Sequence, residues 1–382
     1  MNRKSFFLIG FISLILTSCG HANGNKTARL TDSILSIGTK QYNWEDTSRL
    51  DDYYGGTRKV NVQVWYPSEE LSPESSRTPY LLFNEELYNK INGWNESDFK
   101  AVQKIKTNSA IDAAIDKDLN KAPLLIFSPS LGGNLSYYTY YAEYFAKQGY
   151  IVMGLNHLYE SEVIVHNNMV YQQNERFHDS LKSLKIPEEI TAEKYRETMG
   201  SRQKILGQDI QFALNQLLTN TIFGDRIDSS KVAVFGHSIG GAAAIYSAIL
   251  DNRIKAVINM DGTPPTQALN NGIDVPYLFL EDLTDYKNHQ GYAIQFKRRN
   301  DFCNLNRADS WRVLVKGFSH NSFLDLNYYL AENAKAADSE KKNLDLILNY
   351  MGVFFNHYLL DDKAQNLTPV ESEDVEIIQF IK

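Results

Sequence analysis

Hydrophobic positions along the chain fall into two kinds of run, and the contrast between them predicts how a sheet is built. Val60-Asn61-Val62-Gln63-Val64-Trp65-Tyr66-Pro67 alternates apolar and polar residues before a proline. Successive strand side chains point to opposite faces, so this period predicts a half-buried antiparallel strand at the edge of a sheet. Later runs do not alternate. Leu124 to Phe127, Tyr150 to Leu155, Val232 to Phe235, Ala256 to Met260, Tyr277 to Leu280 and Trp311 to Val315 are short and mostly apolar, the pattern of strands covered on both faces by helices. Between them, Ile205, Ile210, Ala213, Leu214 and Leu217 recur at helical spacing, and Gly149 stands where a helix from Tyr137 to Gln148 would end. Strand and helix alternate, which predicts an α/β fold: a mostly parallel central sheet with helices on both faces, begun by an antiparallel strand or two.

Two segments resist this alternation, about 83–120 and about 157–200. The second is polar and leaves the carboxyl end of a predicted strand, where ligands bind in open α/β sheets. Long connections in compact domains usually carry function or lack structure. This insertion reads equally as a lid over a pocket or as a plain surface elaboration.

The amino terminus follows different rules. Arg3 and Lys4 precede an apolar run from Phe6 to Leu16, the layout of an export signal, and too short for a bilayer that needs roughly 20 residues. Leu16-Thr17-Ser18-Cys19 resembles the lipobox of bacterial lipoproteins. That resemblance implies a signal peptide over 1–18, lipidation at Cys19 and a membrane partner held through the anchor, since acyl chains contribute about 0.8 kcal/mol per buried methylene. Gly20 after the cysteine implies, by the same resemblance, the outer membrane of a bacterial envelope. Small polar residues over 19–32 read as a flexible tether, leaving 33–382 as the folded domain.

Composition narrows the function. The 382 residues are 43% hydrophobic and 22% charged, with a net charge of -7, an ordinary globular composition with no electrostatic case for a nucleic-acid partner. With Cys19 lipidated, Cys303 has no disulfide partner and reads as a structural thiol. No metal-ligand spacing is visible, so neither metal nor cofactor is expected.

One pentapeptide carries chemistry. Gly236-His237-Ser238-Ile239-Gly240 fits the G-x-S-x-G elbow, in which a strand turns sharply into a helix and exposes a serine hydroxyl. The required context is present, with an apolar strand through Phe235 and a helical run from Ala242 to Leu250. A serine attacks only when a base takes its proton, and on this fold an acid and then a histidine follow it in the chain. His289, His320 and His357 come late enough. His320, in a loop after the Trp311 to Val315 strand, fits best; His357 lies in an apolar helical segment, and His289 follows no strand. The acid stays open between Asp261, which ends one strand, and Glu281 or Asp282, which end another. Two backbone N–H groups should meet the developing oxyanion. Ile239 supplies one, and the glycine-containing loop Ser128-Pro129-Ser130-Leu131-Gly132-Gly133 supplies the other, from Leu131, or from Ser130 or Gly132 if the register shifts by one.

Taken together, Val64-Trp65-Tyr66-Pro67, the Ser128 to Gly133 loop, Gly149-Tyr150, Lys231 to Gly241, Asn259-Met260-Asp261 and His320-Asn321-Ser322-Phe323-Leu324-Asp325 resemble the plasma-type platelet-activating-factor acetylhydrolases. The resemblance runs from about Val60 to about Leu326. It implies an α/β-hydrolase fold, with Asp261 as the acid and Leu131 and Ile239 as oxyanion donors. Where that family has a histidine and a glycine in the oxyanion loop, this chain has Pro129 and Ser130. His157 has a family counterpart and reads as structural, while Tyr137 and Tyr138 are candidates for the edge of an acyl pocket. The expected activity is hydrolysis of a small-molecule, short-chain carboxylic ester through Ser238, His320 and Asp261. A peptidase or acyltransferase on the same residues, or a silent surface-binding lipoprotein, are the alternatives.

Overall fold

The computed structural model describes residues 35–51, 55–72, 75–81, 95–173, 189–282, 292–362 and 374–382. The expected signal peptide, tether and lipidated Cys19 lie outside the described residues, as do His289 and parts of both irregular segments. In chain order the strands are β1 (Ser36–Leu50), β2 (Thr57–Ser68), β3 (Arg77–Pro79), β4 (Lys106–Ile111), β5 (Ala122–Ser128), β6 (Ile151–His157), β7 (Val163–His166), β8 (Met169–Gln172), β9 (Ile227–His237), β10 (Ile254–Met260), β11 (Tyr277–Asp282), β12 (Ser310–Val315) and β13 (Val375–Phe380). Eleven of them form one sheet in the order β13-β12-β11-β10-β9-β5-β6-β2-β1-β4-β3, and β7 with β8 makes a separate hairpin.

The strands from β6 through β5, β9, β10 and β11 to β12 pair in parallel, and these contain the six apolar runs, with Tyr150 one residue ahead of β6. Their side chains are buried on both faces because helices cover both faces. The longer helices are α1 (Thr139–Lys147), α2 (Glu189–Leu218), α3 (Ile239–Leu250), α4 (Tyr292–Leu305) and α5 (Ala334–Leu359). On one face α1 and α5 bring Tyr141, Phe145, Met351 and Phe355 against Phe127 and Phe235. On the other, α2, α3 and α4 bring Leu206, Ile210, Leu214, Ile245 and Phe302 against Ile126, Val234 and Val257. Fully burying one such side chain contributes about 1.5–3 kcal/mol, so this two-sided packing holds the strand ends, and what they carry, in fixed relation.

One expectation changes. The alternating strand at Val60 is antiparallel to both its neighbours but is internal, between β1 and β6. Its polar side chains are hydrogen-bonded to those of the flanking strands: Gln63 donates to Thr39, and Asn61 donates to Asn43 and accepts from Asn156. The insertion over 157–200 contributes the β7–β8 hairpin and the first turns of α2. The turn leading into the hairpin is bonded to the glycine loop, with Gly132 N–H donating to Glu160 O and Glu162 N–H to Gly133 O. No helix among the described residues is long and apolar enough to cross a membrane.

Candidate active site

Ser238 sits between β9 and α3 at φ 57°, ψ -121°, a region costly for any residue with a Cβ and held only by surrounding structure. The glycines make that turn possible. A Cβ at Gly236 would lie 2.3 Å from Gly240 O, and one at Gly240 would lie 2.1 Å from Ser128 O. Ser238 N–H donates to Met260 O at 2.9 Å, tying the elbow to the end of the neighbouring parallel strand.

Asp261 is the next residue after that strand. Its backbone is left-handed, at φ 51°, and its N–H donates to Leu280 O, so its carboxylate turns out of the sheet beside the elbow. His320 begins a short 3₁₀ turn, His320–Phe323, capped reciprocally by Ser319 and Ser322. Its Nδ1 lies 2.6 Å from Asp261 Oδ2. This bond turns Nε2 away from the carboxylate. The Asp261 side chain is buried, whereas that of His320 is 45% exposed, which leaves the imidazole open to an incoming molecule. Ser238, Asp261 and His320 are thus gathered at the carboxyl ends of β9, β10 and β12.

The other acid candidates are placed differently. Glu281 is fully buried, its carboxylate 2.5 Å from Arg299 Nη1 and held by Arg312 Nε at 2.6 Å and Nη2 at 2.7 Å. Both oxygens are spent on those cations, so Glu281 is not the partner of His320. Arg299 Nη1 stands 3.9 Å from Asp261 Oδ1 and adds positive potential behind that carboxylate. Asp282 is buried at the end of β11. His357 lies in α5, where its ring packs on Tyr358. Cys303 is buried and its thiol is pushed up to about 12 by burial, consistent with a structural thiol.

Sequence reasoning gave no role to His237, the variable residue inside the elbow motif. Its ring packs on His320, with centroids 4.7 Å apart, and its Nδ1 lies 2.8 Å from the Tyr138 hydroxyl. That hydroxyl also lies 2.9 Å from Ser130 Oγ and accepts the Ser130 N–H. Tyr138 is therefore a buried link between the glycine loop and the elbow rather than the edge of a pocket. Burial, reinforced by the neighbouring His320, holds His237 well below the ordinary histidine range. A neutral ring there avoids a second cation beside the His320 imidazole. Among the described residues no group of three or more His, Cys, Asp or Glu side chains is placed to hold a metal ion.

Comparison with known proteins gives the family and the fold. Residues 48–345 match the family model described as platelet-activating factor acetylhydrolase, isoform II. The chain belongs to that family. It is 24% identical over 251 residues to platelet-activating factor acetylhydrolase of Gallus gallus, covering 59% of this chain and 57% of that protein. Against the Cavia porcellus protein of the same name it is 26% identical over 272 residues, covering 64% of this chain and 59% of the other. The chain thus matches less than two thirds of the length of these relatives. Among solved structures it resembles a ferulic acid esterase from Streptomyces cinnamoneus, with TM-score 0.71 and 22% identity over 91% of this chain and 97% of the other. The fold is that of the α/β-hydrolases.

Proposed function

We propose that this chain is a serine hydrolase of carboxylic esters. The observation that carries the reading is the 2.6 Å bond from His320 Nδ1 to Asp261 Oδ2, beside a serine held in a strained, half-exposed turn. In this reading Ser238 Oγ attacks the ester carbonyl while His320 Nε2 takes its proton, and Asp261 holds the ring and stabilises the imidazolium. His320 then protonates the leaving alkoxide. Water, deprotonated by the same ring, cleaves the acyl-enzyme and restores Ser238.

The developing oxyanion would be met by the N–H groups of Ile239 and Leu131. Ile239 is the first residue of α3, where an N–H has no acceptor within its own helix. In the glycine loop, the amides of Ser130, Gly132 and Gly133 are spent on Tyr138, Glu160 and Ser130, which favours Leu131 as the donor. Loss of one such donor typically costs about 10²–10³-fold in rate.

Short acyl groups are the proposed substrate feature. The relatives support this, since one from Arthroderma benhamiae, 27% identical over 159 residues, is described as a probable 1-alkyl-2-acetylglycerophosphocholine esterase. The proposal extends to a lipid anchor at Cys19 holding the domain at a bacterial outer membrane, tested by whether Cys19→Ala releases the protein from the membrane fraction. For the chemistry, wild type and Ser238→Ala are treated with a fluorophosphonate probe and then with esters of increasing acyl length. Labelling of wild type alone, with turnover falling as the acyl chain lengthens, is expected. No labelling of wild type, or equal labelling of both, overturns the assignment.

A further inference from the structure

A second serine, histidine and aspartate lie in line beneath the glycine loop, and the mechanism above uses none of them. Ser128 Oγ is 2.8 Å from His157 Nε2, and His157 Nδ1 is 3.0 Å from Asp209 Oδ2. All three are at most 1% exposed, so no substrate reaches them and they do not form a second active site. Their cost is considerable, because a buried carboxylate and imidazole must each be fully partnered to be tolerated. Arg58 meets that need from β2, with Nη2 2.7 Å from Asp209 Oδ2 and Nε 3.2 Å from Oδ1. Arg49 adds a contact at 2.9 Å from β1. Burial by itself would raise the Asp209 carboxyl, but Arg58 and His157 outweigh it and hold Asp209 well below the usual carboxylate range.

The ionised carboxylate fixes the tautomer of the ring. In the neutral tautomer that this carboxylate selects, His157 donates its Nδ1–H to Asp209 and its Nε2 lone pair faces the Ser128 hydroxyl. Ser128 is the last residue of β5 and the first of the glycine loop. Its carbonyl lies against Gly240, where a Cβ would be 2.1 Å away, in the first turn of the helix that begins with Ile239. Three residues along the loop is Leu131. Ser128 therefore touches both pieces of backbone that would supply the oxyanion donors. His157 also starts the turn whose Glu160 carbonyl receives Gly132 N–H, and Glu160 is itself paired with Arg202 of α2.

We propose that Ser128, His157 and Asp209 form a positioning relay that sets the spacing between the Leu131 and Ile239 amides, and thereby the strength of the oxyanion hole. The relay anchors the loop to α2 and β2 through groups held in place, because Asp209 is bound by Arg58 and Arg49 as well as by His157 and all three members of the line are buried. Such preorganisation matters most where charge develops in the transition state. Loss of the relay should lower kcat and leave KM nearly unchanged.

The inference rests on the ester-hydrolase reading, and its test separates the two. Wild type, Ser128→Ala, Ser128→Cys and His157→Gln are titrated with a fluorophosphonate, so that kcat is expressed per competent Ser238 and any misfolded fraction drops out. Each is then assayed on an ester and on its thionoester, whose sulfur makes a poorer acceptor in the oxyanion hole. For Ser128→Ala we expect kcat to fall by about 10–100-fold with KM within about twofold, a smaller version of losing a donor outright. The ester-to-thionoester ratio should shrink in step. Ser128→Cys, which keeps a weak donor, should recover part of both. A kcat per titrated site within about twofold of wild type for both Ser128→Ala and His157→Gln overturns the proposal, and so does a fall in kcat with the ratio unmoved. A wild type that takes no fluorophosphonate overturns the hydrolase reading instead, and this inference with it.

Discussion

The most exposed element of the proposed machinery is the loop that carries His320, and one buried carboxylate fastens it. Asp325, five residues beyond the histidine, is fully buried. It accepts the Tyr80 hydroxyl and the Tyr140 N–H of α1, and its own N–H donates to Tyr137 O. The residue thus ties the histidine loop to the helix that follows the glycine loop. Burial raises its carboxyl from the ordinary 3.8 to about 7, outweighing the two hydrogen bonds, and Glu143 pushes in the same direction. The other ionisable groups facing it, Tyr80, Tyr141 and Tyr329, are raised above 10 by burial and stay neutral throughout the range considered.

The sign follows from linkage. Between about pH 4 and 7 the folded protein holds a proton on Asp325 that the unfolded chain has released, so stability from this group is full below pH 4 and is lost as pH rises through 7. Over the whole range the loss is about 4 kcal/mol at 1.36 kcal/mol per unit, and more than half of it, roughly 3 kcal/mol, falls between pH 5 and pH 8. Asp325→Asn keeps the shape, removes the titration and should flatten that part of the curve. The check is urea denaturation of both proteins at pH 5 and pH 8. Wild type should lose roughly 3 kcal/mol more than the variant across that interval. A difference below about 0.5 kcal/mol, or one of opposite sign, would refute the account, because either result means that Asp325 does not change charge on unfolding in this window.

Asp261→Asn and Glu281→Gln should separate along different axes. The first should leave the unfolding midpoint nearly unchanged and lower kcat by about 10⁴-fold, the loss seen when a triad acid becomes an amide; retention of more than a tenth of wild-type kcat counts against Asp261 as the acid. The second leaves Arg299 and Arg312 without their shared counter-charge, and should cost about 3–5 kcal/mol in urea denaturation, with ester turnover per titrated site within about tenfold of wild type. Tyr138→Phe removes the hydroxyl shared by Ser130 and His237. It should cost about 1–3 kcal/mol as buried polar groups lose a partner, and should lower kcat more than it raises KM; an unchanged kcat would mean that the link is packing alone.

What was legible in the sequence follows from which physical constraints are local. The strands β5, β6 and β9 to β12 were readable because a parallel strand covered on both faces must be apolar at consecutive positions. Ser238 was readable because the turn it occupies excludes a Cβ at Gly236 and Gly240. The strand β1 was not, since Ser36–Leu50 mixes polar and apolar residues and its burial falls off along its length. The edge strand β13 likewise has no fully buried position. The relay under the glycine loop could not be read at all. Its members are separated by 29 and 52 residues, and only the adjacency of β5, β6 and α2 brings them together.

The choice of acid lies between these extremes, and here the sequence held a signal that position alone ignored. Asp261 and Glu281 both end apolar strands, and nothing about their spacing from Ser238 separates them. Arg312, however, stands inside Trp311 to Val315, a run read as a buried strand. A guanidinium in such a place is tolerated only with a buried carboxylate beside it, and β12 pairs with β11 in a register that sets Leu314 against Glu281 and Arg312 against Phe279. A cation two residues from the partner of Glu281, on an adjacent parallel strand, marks that carboxylate as already spoken for. Asp261 faces no such charge within its own pair of strands, which leaves its Oδ2 for His320. The partner of a buried cation is the less available base, and the acid of a triad is better sought by asking which strand-end carboxylate the core does not require.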